Sequence, residues 1–79
     1  MSTLDDKIRK FCAEYGLSPQ QTRIVAAMMA GALTNEAIRR RTGMTQGALS
    51  AHLWRIAKKT MTISRVELLY LFYEGRRGE

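Results

Sequence analysis

The chemistry this chain offers is concentrated between Gln46 and Lys58. A glutamine amide pairs in bidentate fashion with adenine, a serine hydroxyl donates or accepts, and an alanine methyl fits against a thymine methyl. Gln46, Ser50 and Ala51 therefore have the side chains that read base edges. Gly47, Ser50 and Ala51 are also small, which lets a backbone approach those edges closely. Arg55 and Lys58 follow at a reach suited to phosphates, where they add salt-dependent affinity. Trp54 stands among them, either to stack or wedge against DNA or to pack at a domain edge or subunit contact. Packing is the weightier reading, because tryptophan is usually well buried. Catalysis finds no comparable set. There is one histidine, no carboxylate pair on a shared face and no Gly-rich phosphate loop. Cys12 and His52 alone make no zinc site, so neither metal nor cofactor is expected.

The elements that must position those residues come from a short chain. Its 79 residues suffice for one domain, 1–79, and its 46% hydrophobic content is that of an ordinary globular protein. So small a core supplies only a few kcal/mol, and a partner subunit would help. A lone cysteine fits a reducing compartment. Met1–Asp6 is acidic and has no apolar stretch of the signal-peptide kind. No apolar run approaches the roughly 18–20 residues that span a bilayer. A cytoplasmic protein without a membrane partner is expected. The net charge of +6, with a pI near 10.1, suits a polyanion. It does not choose among DNA, RNA, a membrane surface and an acidic protein.

The periodicity is helical almost throughout and predicts five segments, an all-α fold. The first runs from Leu4 to Tyr15, with Leu4, Ile8, Phe11, Cys12 and Tyr15 on one face, Ser2 or Thr3 as cap and Gly16 as stop. The second opens on Ser18-Pro19 with Gln21, an N-cap, an N1 proline and a capping box together. It buries Ile24, Val25, Met28 and Met29, and Gly31 ends it. The third is short. Thr34 or Asn35 caps it, Ala37, Ile38 and Thr42 face inward, at least two of Arg39–Arg41 face solvent, and Gly43 ends it at positive φ. Thr45 caps the fourth, 46–60, in which Leu49, Leu53, Ile56 and Thr60 form the core stripe. The fifth opens on a second capping box, Ser64 with Glu67, and is apolar nearly all round from Val66 to Tyr73. A second apolar face on so short a helix calls for another partner. Cys12 and the five methionines read as core filler, and His52 as a structural histidine bonded to backbone or phosphate.

Segments three and four, with the turn at Gly43, describe a helix-turn-helix. Ile38, Met44, Leu49 and Leu53 fix the crossing of the two helices, and the fourth segment presents its first turns to a groove. The candidate DNA contacts are Thr34, Asn35, Arg39, Thr45, Gln46, Gly47, Ser50, Ala51, Trp54, Arg55 and Lys58.

With those residues in place, the chain resembles the helix-turn-helix domain of LuxR-type regulators, also called the FixJ/NarL or GerE type. The resemblance runs from Leu17 to about Leu69, within a core of 17–74. It rests on Leu17-Ser18-Pro19-Gln20-Gln21, on Gly31-Ala32-Leu33-Thr34-Asn35, and on Ile38, Gly43, Thr45, Leu49, His52, Ile56 and Lys59 at the family spacing. Arg65-Val66-Glu67-Leu68 completes it. It implies a bacterial or phage regulator with a four-helix domain from Leu17 onward, which places its third helix, here the fourth segment, in the major groove and dimerises through its last. Base-facing positions map onto Ser50, Ala51 and Trp54, and the dimer contact onto Val66, Leu69, Tyr70 and Tyr73. The chain departs from the pattern at Gln21 and Ala37, where the family has Glu, and at Ser50, where it has Lys. One extra residue stands near Ala32. The first segment, 4–15, is expected to take the place of the family's usual sensing domain.

The expectation is a homodimeric, sequence-specific transcriptional regulator on double-stranded DNA. Two rivals remain. One is an interaction protein that binds and modulates another regulator, which the loss of lysine at Ser50 favours. The other is a DNA binder with little sequence preference.

Overall fold

The computed structural model describes residues 3–74. They form five α-helices and no strand: α1 (Thr3–Glu14), α2 (Pro19–Met29), α3 (Asn35–Thr42), α4 (Gln46–Thr60) and α5 (Arg65–Glu74). The radius of gyration, 11.8 Å, matches the roughly 11.6 Å of a globular chain this long. Ser2 and the tail Arg76–Glu79 lie outside the described residues. Thr3 is the first residue of α1 rather than its cap, and Tyr15 follows the helix instead of ending it.

The starts and stops are written locally. Ser18 Oγ accepts from Gln21 N–H and Gln21 Oε1 accepts from Ser18 N–H, closing the capping box of α2. Thr34 caps α3 by accepting from Ala37 N–H, and Thr45 caps α4 by accepting from Ala48 N–H. Each such cap contributes about 1 kcal/mol. At the start of α5, Ser64 Oγ accepts from Glu67 N–H, and the Glu67 carboxylate accepts from Ile63 N–H at 2.7 Å.

α2 is the hub, packing against α1, α3 and α4. Ile24, Val25, Met28, Ile38, Leu49, Ile56 and Phe72 are all but sealed from water; each such side chain contributes about 1.5–3 kcal/mol on burial. α1 lies over α5 through an edge-to-face contact of Phe11 with Phe72, centroids 5.2 Å apart, and Lys7 Nζ stands 5.2 Å above the Phe72 ring. Cys12 is core, as expected, and burial raises its thiol pKa against a hydrogen bond with Thr22 that lowers it. Several expected core residues are not. Leu4 is exposed, and Leu53 is only partly buried. Met61 is exposed too; it ends α4 in the left-handed region at φ 57°. A position that ends a helix in this way needs no burial, so helical spacing gives no sign of it.

Candidate nucleic-acid interface

The turn between α3 and α4 is built tightly. Gly43 adopts φ 74°, and its N–H donates to the Arg39 carbonyl at 2.7 Å. A side chain other than glycine's would strain that conformation. Thr42 Oγ1 returns a bond to the Ile38 carbonyl. Two guanidiniums satisfy the carbonyls left over. Arg23 donates to Thr42 O at 2.8 Å and Arg39 Nε to Met44 O at 3.3 Å. Arg23 was not legible as a brace, because it lies on α2, nineteen residues from its acceptor.

α4 leaves this turn with one continuous solvent face. Gln46, Gly47, Ser50, Ala51, Trp54, Arg55 and Lys58 are all exposed, while Leu49, Ile56 and Thr60 are buried on the other side. All the expected α4 side chains are thus on one surface. Gln46 Nε2 donates to Ser50 Oγ at 3.3 Å, so those two polar tips lie together. A Cβ on Gly47 would meet nothing within 4 Å, and internal packing therefore does not require glycine there. Trp54 is 62% exposed, so the domain itself leaves its ring open to DNA or to a second subunit. Lys58 Nζ sits 5.0 Å from its ring centroid, within cation–π range.

The α3 residues divide. All three of Arg39, Arg40 and Arg41 are exposed. Arg40 pairs with Glu36 at 2.9 Å. Thr34 and Thr45 spend their hydroxyls as caps. Asn35 is not a free acceptor, because its side-chain oxygen takes a short bond from Arg65, which also donates to the Leu33 carbonyl at 2.7 Å. Arg65 thereby ties the start of α5 to the start of α3.

Charge is partitioned in a way the overall +6 conceals. Between Leu17 and Ser64 stand seven of the thirteen cations but one of the seven anions, Glu36, so the whole net charge resides in that stretch and the rest of the chain is neutral. Lys59 is one of those cations but faces away from the α4 surface. Its ammonium donates to the Gly16 carbonyl and to Gln21 Oε1. His52 is half-buried, and its Nδ1 is shut from water with no hydrogen-bond partner, so the expected backbone bond is not made there.

The remaining expected contact lies on α5. Val66, Tyr70 and Tyr73 are 76%, 60% and 55% exposed on one face, whereas Leu69 leans against the core. α1 reaches this helix at Phe72, and its Lys7 also stands 5.3 Å from the centroid of the Tyr73 ring. No helix among the described residues is long and apolar enough to cross a membrane, and no cluster of side chains among them is suited to a metal ion. Comparisons with protein-family models, curated proteins and solved structures gave no match.

Proposed function

We propose that this chain is a sequence-specific, DNA-binding transcriptional regulator. In this reading α3, the Gly43 turn and α4 act as a helix-turn-helix, with α4 in the major groove. The observation that carries it is the coincidence on α4 of a continuous exposed face of base-reading side chains with the stretch holding all the net positive charge. Gln46, Ser50 and Ala51 face the bases, while Arg39, Arg55 and Lys58 meet phosphates. The ordered resemblance to LuxR-type domains supports the same docking. A second copy joins through Val66, Tyr70 and Tyr73 of α5, so that two recognition helices read half-sites about one helical turn apart.

A second reading is favoured by the exposure of that same α5 face. There the chain binds another regulator through α5 and modulates it. Footprinting on the DNA upstream of its own gene and on random genomic DNA, at two salt concentrations, separates the two. A discrete protected site with dyad symmetry, lost in Arg55→Ala or Ser50→Glu, is the expected result. Uniform, salt-labile protection or none removes the sequence-specific reading and turns attention to α5.

A further inference from the structure

One side chain on the proposed interface is out of scale with its neighbours. At about 100° per residue, Trp54 projects from the middle of the exposed α4 face, with Gly47 about 20° from it and Ser50 and Lys58 each about 40° away. Gly47, Ser50 and Ala51, three of the four residues preceding it on that face, are among the smallest side chains, and Gln46 stands one turn or more away at the start of the helix. The indole reaches several ångströms beyond them, and 62% of its surface is in water.

The surroundings indicate what covers it. Lys58 Nζ stands over the ring, Arg55 is adjacent, and the only anion between Leu17 and Ser64 is already paired with Arg40. An uncharged apolar protein surface would leave those cations unanswered. DNA supplies both requirements, phosphates for the ammonium and guanidinium and a π-surface for the ring. Bases in an intact stack show only their edges, however. When Gly47, Ser50 and Ala51 bring the backbone of α4 against those edges, the longer indole, nearly in line with them, overlaps the duplex unless a base step opens.

We propose that Trp54 is a wedge: its ring enters a base step, so that this protein distorts the DNA it binds and favours steps that unstack easily, such as pyrimidine–purine steps. The inference rests on the DNA-binding reading and adds the manner of contact and the class of site preferred. Lys58 then holds the ring and meets the flanking phosphate, coupling the wedge to the salt-dependent part of the affinity.

The test uses the full chain and two end-labelled duplexes of about two helical turns, one intact and one with a central abasic position that removes the stacking to be broken. Label anisotropy reports binding, and Trp54, the only tryptophan, reports its own surroundings by emission. Wild type binds the abasic duplex roughly tenfold tighter, because the stacking that the ring must break is already missing there, and its emission is quenched on binding. Trp54→Ala binds both duplexes equally, and Trp54→Phe retains part of the preference. Equal wild-type affinity for the two duplexes overturns the wedge while DNA binding stands. No anisotropy change with either duplex removes both. Emission that shifts with protein concentration in the absence of DNA assigns Trp54 to a subunit contact and overturns the wedge. Thermal melting of Trp54→Ala checks that the fold is intact.

Discussion

The Lys59 ammonium and the Gln21 side-chain oxygen lie 3.0 Å apart, joining the last turn of α4 to the first turn of α2. The same ammonium holds the Gly16 carbonyl at 2.9 Å. Gln21 is 3% exposed and already closes the Ser18 capping box, so one amide serves two purposes. This clamp fixes how the C-terminal end of α4 sits on the scaffold.

Neighbouring lysines should therefore behave oppositely. Lys59→Ala removes two charge-assisted bonds and should lower the unfolding free energy by about 1–2 kcal/mol, a value discounted for partial exposure. In urea the midpoint should fall with the slope unchanged. Lys58→Ala should leave the midpoint alone and instead reduce the slope of log K against log salt by about 1 on DNA. A stability loss at Lys58, or a salt-slope change at Lys59, would reverse these assignments.

How much of this was legible in the sequence follows from the range of the interactions. The five helices, the caps at Ser18, Thr34 and Thr45 and the stop at Gly43 depend on residues within a turn of one another, and pattern reading finds them. So does the solvent face of α4, since helical spacing fixes which side chains share a side. The clamps are different. Arg65 to Asn35, Arg23 to Thr42 and Lys59 to Gln21 join residues 30, 19 and 38 positions apart, and composition carries no sign of such pairings. The exposure of Trp54 escapes pattern reading for another reason, since the average burial of a residue type says little about one placed at the centre of a polar face.

Two glycines should give stability changes of opposite sign. Gly43 sits at φ 74°, so Gly43→Ala should cost about 1–2 kcal/mol and loosen the turn. Gly47 lies inside α4 with open space around it, so Gly47→Ala should stabilise the fold by about 0.5–1 kcal/mol. On DNA the same Gly47→Ala should weaken binding, because the added methyl stands between the backbone and the base edges. Paired thermal melts and binding titrations read both effects. A Gly47→Ala protein both more stable and fully active would show that the first turn of α4 does not approach the bases.

Cys12 provides a probe of packing. Burial raises its thiol pKa, against the lowering by Thr22, so the native thiol stays neutral at pH values where an unfolded thiol begins to ionise. Modification by a thiol reagent should be slow in the native protein at pH 8 and fast in denaturant. The raised value also sets a sign with pH. Once pH passes the ordinary thiol range near 9.0, the unfolded chain releases a proton that the folded chain retains, and stability should fall. Cys12→Ala should abolish that part of the alkaline loss, measured as the difference between two melting series.

The exposed face of α5 sets the last expectation. Val66, Tyr70 and Tyr73 follow one another at helical spacing and are all more than half exposed, although Lys7 of α1 stands over the Tyr73 ring, so this stripe is the part of an all-round apolar helix that the domain covers least. Sedimentation at micromolar concentration should give a dimer, with a melting temperature that rises with protein concentration. Val66→Lys with Tyr70→Glu should give a monomer whose melting temperature no longer depends on concentration. Affinity for a dyad-symmetric site should fall at least about tenfold in that variant, because the second half-site is no longer bound intramolecularly, while affinity for a single half-site should be unchanged. A wild-type protein that sediments as a stable monomer would remove the dimer, leaving α5 as a surface for a different partner. A dimer untouched by the double substitution would move the contact elsewhere on the fold.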